Sequence, residues 1–135
     1  MAVIDIRGAS LSSTDPPIAT NPNPDLAWKA PVRVATTGSN INLSTIGLGP
    51  LDGVTLSAGD RVLVKDQTDA TTNGLYNANT GVWTRTIDAQ NNSQWAQGLL
   101  VLVTQGSLNA FTMWVMTAAN PITLGTTTLT WAFKP

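Results

Sequence analysis

The sequence predicts an all-β fold, a compact antiparallel sandwich or barrel with an extended N-terminal arm. Three observations lead there. From Trp28 onward, short Val- and Thr-rich segments alternate apolar and polar residues between turn-forming clusters of Gly, Asn, Asp and Ser. No stretch keeps a helical period for more than about two turns. Four prolines, Pro16, Pro17, Pro22 and Pro24, precede Asp25 and disfavour both helix and sheet there. The chain therefore divides into an arm over 1–27 and a β-domain over 28–135. A length of 135 residues suits one domain.

Within the arm, Val3, Ile4 and Ile6 form one short strand candidate. Two readings stand open. The segment is a disordered leader, or it docks as an added strand on the sheet edge of a neighbouring subunit. In the second reading the prolines stiffen the arm and reduce the entropy lost on docking.

The β elements follow in order. Val32-Arg33-Val34 and Ile41-Asn42-Leu43 each alternate, and Leu51–Leu56 sets a turn pair beside a strand. Ser57–Asp60 is a turn leading into a strand over Arg61–Lys65. Asp66–Asn73 is a polar, Thr-rich loop, and Asn73-Gly74 is a turn-type dipeptide. Leu75–Ala78 and Val82–Arg85 are expected to form a hairpin closed by Asn79-Thr80-Gly81. Asp88–Gln94 reads as a loop or a single helical turn. Gly98–Thr104 is apolar on both faces and is expected to be a central strand. Phe111–Thr117 is another strand, Pro121–Gly125 a short edge strand or turn, and Thr127–Phe133 the last strand.

Charge is scarce. Charged residues make up 11% of the chain, and seven basic residues nearly balance eight acidic ones. Polyanion binding needs clustered Lys and Arg, so nucleic acid is not an expected partner. Near-zero net charge leaves little repulsion between copies, which suits self-association. No apolar run reaches membrane-helix length, and the first residues lack the basic and apolar regions of a signal peptide. Synthesis in the cytoplasm without membrane insertion is the expectation.

Candidate chemistry is thin. The chain has no cysteine and no histidine, which removes thiolate sites and the commonest general base. It has no glutamate, and Asp60, Asp66, Asp69 and Asp88 show no spacing that demands a catalytic carboxylate pair. No enzymatic activity and no cofactor are expected. Asp66-Gln67-Thr68-Asp69 and Asp88-Ala89-Gln90-Asn91 offer oxygen ligands but lack an EF-hand pattern, and Asx-turns explain them better than a metal does. Arg61, Lys65 and Arg85 are expected to mark the solvent face and to pair with Asp60, Asp66 or Asp88. Among the aromatics, Trp83, Trp114 and Trp131 sit mid-strand and are expected to fill the core, as are Leu63 and Tyr76. Trp28 and Trp95 lie in polar surroundings. With Asn91 and Asn92 they are the candidates for contact with a glycan or a protein partner, an indole face stacking on a sugar ring while amides bond its hydroxyls.

One ordered string of motifs resembles a known family. Asp25–Thr37 (DLAWKAPVRVATT), Ile41-Asn42-Leu43, Leu51–Thr68 (LDGVTLSAGDRVLVKDQT), Asn73–Tyr76 (NGLY), Gly81–Arg85 (GVWTR), Asp88 and Pro121–Trp131 (PITLGTTTLTW) resemble a β-module of tailed-phage and prophage tail-fibre and spike proteins. The resemblance covers 25 to about 133. The polar, uncharged run Asn91–Gln97 departs from the acidic character expected there. What the resemblance implies is a virion structural protein: a fibre or spike base, an adaptor, or a capsid or tail surface component. It implies other virion proteins as partners, a trimeric or pentameric homo-oligomer, and support of host attachment. It brings no catalytic residues. The alternative function is a carbohydrate-binding module that contacts host surface glycans directly.

Overall fold

Seven strands form two sheets in the structure, a computed structural model that describes residues 28–135. The arm residues Val3, Ile4, Ile6, Pro16, Pro17, Pro22 and Pro24 lie outside the described residues. The first sheet holds β1 (Val34–Ala35), β2 (Arg61–Val64), β3 (Gly74–Asn77) and β4 (Thr84–Arg85), in that order. The second holds β5 (Leu100–Leu102), β6 (Met113–Met116) and β7 (Trp131–Lys134), also in order. The all-β class holds. Every strand pair is antiparallel except β1 with β2, which run parallel with Val34 opposite Val62.

The chain from Trp28 to Thr36 stitches the two sheets together. It first runs along the free side of β5, with Trp28 opposite Leu100 and Val32 opposite Val103. Val32 N–H donates to Leu102 O at 2.9 Å, and Thr104 N–H returns to Val32 O at 3.0 Å. It then switches sheets: Arg33 N–H donates to Arg61 O at 2.8 Å and Thr36 N–H to Leu63 O at 3.0 Å. β5 is thereby flanked on both sides, as its unbroken apolar run led one to expect.

The first sheet is buried on both faces, so β2 reads Val62-Leu63-Val64 without alternation, each fully buried. Ala35, Leu63 and Leu75 face the second sheet and meet Leu99, Val101, Met116 and Leu129 there. Val34, Val62, Val64, Tyr76 and Trp83 face the opposite way, into a second core. That core is roofed by Ile41, Leu43, Ile46, Leu48, Leu51 and Leu56.

The roof corrects three strand expectations. Ile41-Asn42-Leu43 is a turn, because Asn42 bonds its own neighbourhood: its Oδ1 accepts from Ser44 N–H at 2.9 Å and its carbonyl from Ile46 N–H at 2.9 Å. Leu51–Leu56 carries a single bridge, Leu51 with Val54. The β3–β4 connection is wider than a tight hairpin. Asn77 pairs with Thr84, leaving 78–83 as the loop, since Trp83 turns inward and donates from Nε1 to Gly47 O at 3.0 Å. Pro121–Gly125 is turn rather than strand. Asn92–Gln94 is one turn of 3-10 helix, as the sequence allowed.

Candidate interaction surface

The acidic side chains come first, because any hydrolytic or metal chemistry would start from them. Asp60 accepts from Arg33 Nη1 at 2.6 Å and from Ser57 N–H at 2.8 Å. Burial pushes its carboxyl up, but the Ser57 and Arg33 bonds and the Arg33 charge outweigh this and hold it below the ordinary value. Asp88 is treated the same way. Burial raises it, while both Arg61 nitrogens, the Thr86 hydroxyl and the Arg61 charge bring it below the usual range. Asp66 Oδ2 accepts from Lys65 Nζ, Thr36 Oγ1 and Gly38 N–H at 2.9, 2.7 and 2.9 Å. Asp69 caps the 3-10 turn Ala70–Thr72, and the hydroxyl and N–H of Thr71 lower its carboxyl. Each carboxylate described so far binds a structural donor. Among the described residues no three His, Cys, Asp or Glu side chains gather as a metal site.

Arg61, Lys65 and Arg85 are equally committed. Arg61 and Lys65 share the side of β2 that carries Leu63, the side the second sheet covers. Lys65 is therefore not on the solvent face. Its side chain is 7% exposed, and its ammonium sits 4.1 Å from the ring centre of Trp114 in the second sheet. Arg85 donates to the carbonyls of Asn73 and Thr71 at 2.9 and 3.1 Å. A side chain at Gly74, whose φ is +151°, would collide with that guanidinium. Arg85 also lies 5.2 Å from the Tyr76 ring. Burial raises the Tyr76 phenol despite the Arg85 charge, and its hydroxyl donates to Thr72 O at 2.6 Å.

The aromatic candidates separate. Trp28 is 52% exposed at the margin of the second sheet. Trp95 corrects the expectation of an exposed indole: it is 4% exposed, in the core between the sheets. Its Nε1 donates to Ala89 O at 3.1 Å, and its ring meets Trp131 edge-on at 6.0 Å. Its polar neighbours sit on the 3-10 turn, while the extended backbone at Trp95 swings the ring inward. Asn91 and Asn92 are exposed, and Asn92 Oδ1 accepts from Leu124 N–H at 2.8 Å. Trp28 and Trp95 thus do not form a joint platform. Trp83 is buried in the second core, as expected, whereas Trp114 and Trp131 are partly buried against the core between the sheets.

Two apolar surfaces remain. On the face of the second sheet turned away from the core, cross-strand partners share a side. Leu100, Val115 and Ala132 form one row, and Leu102, Met113 and Lys134 the next. Every apolar member is only half-buried, and Trp28 beside Leu100 extends the patch. A one-sided antiparallel sheet would carry polar residues there. The second surface is the β5–β6 loop, where Leu108 and Phe111 are 72% and 80% exposed. Asp52 holds this loop. Its carboxylate accepts from the N–H groups of Leu108 and Asn109, both at 2.9 Å, and its carbonyl from Ser107 N–H at 2.9 Å. Any side chain at Gly106, φ +127°, would run into that carboxylate. Neither surface was singled out from sequence. The apolar run at Gly98–Thr104 was the available signal for the first.

No family model, curated protein or solved structure matches the chain.

Proposed function

We propose that the chain is a phage-like virion structural protein, a fibre or spike base, adaptor or capsid or tail surface component. Its N-terminal arm anchors it, and its β-domain supports host attachment. The observation that carries this reading is where the side chains are spent. The acids and bases just described brace the scaffold, while apolar groups are displayed on the outer sheet face and on a clamped loop. Such a surface is suited to packing against protein neighbours. The motif string over 25–133 supports a virion setting. Mass spectrometry of purified particles tests it: the protein is expected in the particle, and deletion of 1–24 is expected to remove it. Particles free of the intact chain would overturn the reading.

A second reading, direct glycan binding, rests on the exposure of Trp28. Trp28→Ala would then abolish adsorption while the particles keep the protein. A glycan array without binding would count against it.

A further inference from the structure

Resting on the arm-anchored reading above, we propose that the outer edge of β7 receives the Val3–Ile6 segment of a second copy of this chain as an added antiparallel strand. Among the described residues, β7 is the last strand of its sheet, and nothing pairs with its far side. Open edges are usually blunted by charge, proline or brevity. β7 is four residues long, with Lys134 its one charged residue, and it exposes Phe133 at 52%. The first sheet ends in β1 and β4, each two residues long, and Arg85 of β4 is folded back onto Thr71 and Asn73. The free side of β5 is already taken by the chain around Trp28 and Val32.

The sequence of the arm fits this edge in one orientation. Ile4 and Ile6 share a side of an extended strand, with Val3 and Asp5 on the other. Antiparallel pairing of Ile4 with Phe133 sets Ile6 beside Trp131. Both isoleucines then continue the core side of the sheet, and Ile4 covers the Phe133 ring where it meets Trp114 edge-on. Asp5 falls opposite Ala132, diagonal to the Lys134 ammonium on the outer side. A parallel strand that kept both isoleucines beside Trp131 and Phe133 would instead set Arg7 against Lys134. Reach admits a second copy, and the near-zero net charge leaves little repulsion between copies to oppose one. The described chain starts at Trp28, on the opposite margin of the same sheet. The Pro-rich stretch from Arg7 to Ala27 would span roughly 65 Å at about 3.1 Å per extended residue. A domain of this size is only about 35 Å across.

The chain has no cysteine, so a disulfide trap is clean. Full-length Ile4→Cys chains are mixed with full-length Phe133→Cys chains, or Ile6→Cys with Trp131→Cys chains, and oxidised. Directly opposed strand residues lie within disulfide reach. The expected product is a mixed disulfide dimer of twice the chain mass, absent when the partner carries Thr84→Cys. Light scattering of the unoxidised full chain should show an oligomer that Ile4→Asp shifts to monomer. A double Ile4→Cys, Phe133→Cys chain that closes only on itself would overturn the second-copy assignment. Linkage to the Thr84→Cys edge alone, or an oligomer indifferent to Ile4→Asp, would overturn the β7 assignment. The purified chain answers these points whether or not it is found in particles, so the virion reading fails or stands separately.

Discussion

The Arg61 guanidinium grips both carboxylate oxygens of Asp88, at 2.9 and 3.0 Å, and also donates to the carbonyls of Ala30 and Pro31. One side chain thus ties β2 to the loop after β4 and to the chain arriving from the arm. Such two-point charge-assisted bonds are stronger than neutral ones. Asp88→Asn keeps the shape but removes the charge and one acceptor. It is expected to cost about 1–3 kcal/mol. Urea unfolding monitored by tryptophan fluorescence checks this, and an unchanged midpoint would mean the pair is solvent-screened and idle.

The same pair sets the response to acid. Asp60 and Asp88 both have carboxyls held below their ordinary value of 3.8. A carboxyl depressed in the fold releases its proton more readily there than in the unfolded chain. Its stabilisation is complete above the unfolded value and fades as pH falls through the folded one. Stability should therefore be flat above about pH 5 and decline below pH 4. Asp88→Asn should flatten part of that decline. Unfolding midpoints measured from pH 7 to pH 2 in wild type and variant give the comparison, and superimposable profiles would refute the linkage.

Trp95 is a core residue rather than a contact residue, and its replacement tells the two apart. Trp95→Ala removes an indole packed between the sheets together with its bond to Ala89. The expected loss is about 3–5 kcal/mol, a large share of what holds a domain of this size. Trp28→Ala, at an exposed ring, should stay within about 0.5 kcal/mol. Thermal melts of the two variants side by side decide the matter. Equal melting temperatures would return Trp95 to the surface.

Why Trp95 misleads from sequence, and Trp83 does not, has a local cause. Trp83 stands among strand formers directly ahead of β4, and that apolar setting marks it as a core residue although it lies in the loop. Trp95 follows a polar 3-10 turn whose shape is set by Gln94, which accepts from the N–H groups of Gln90 and Asn91 at 2.9 Å each. Parity says nothing across such a turn. The same limit hid the roof of the second core, where Ile41 and Leu43 alternate like a strand but follow Asn42 into a turn. Strands with long-range apolar partners, β2, β3, β5 and β6, were legible because burial on one or both faces leaves a pattern. The partners of Asp52 and Asn73 were not, nor were the bonds from Thr36 and Gly38 to Asp66. Their bonds join distant residues, as when Asn73 Nδ2 donates to Leu129 O at 3.0 Å. For the candidate surface, the apolar run of β5 was visible. That its outer row stays half-exposed follows from which element covers which face.

Phe111 holds a backbone position that favours glycine. Its φ is +60°, in the left-handed region, and it is the third residue of the turn that Thr112 N–H closes onto Asn109 O at 3.1 Å. Val103 faces both Phe111 and Thr112, accepting from the N–H of the first at 2.7 Å and donating to the carbonyl of the second at 2.8 Å. That arrangement is a bulge, two residues opposite one. A bulky residue there carries a strain of about 1–2 kcal/mol, and a ring 80% exposed recovers little of it through burial. Phe111→Gly is therefore expected to raise stability by about 1 kcal/mol. Phe111→Asn, which also tolerates this conformation, should give a smaller gain. Urea midpoints at unchanged slope measure both, and a midpoint at or below wild type would refute the strain. Incorporation of the Phe111→Gly chain into particles supplies the functional half. Stability that rises while incorporation falls would mean the ring is kept, against its backbone cost, as a contact.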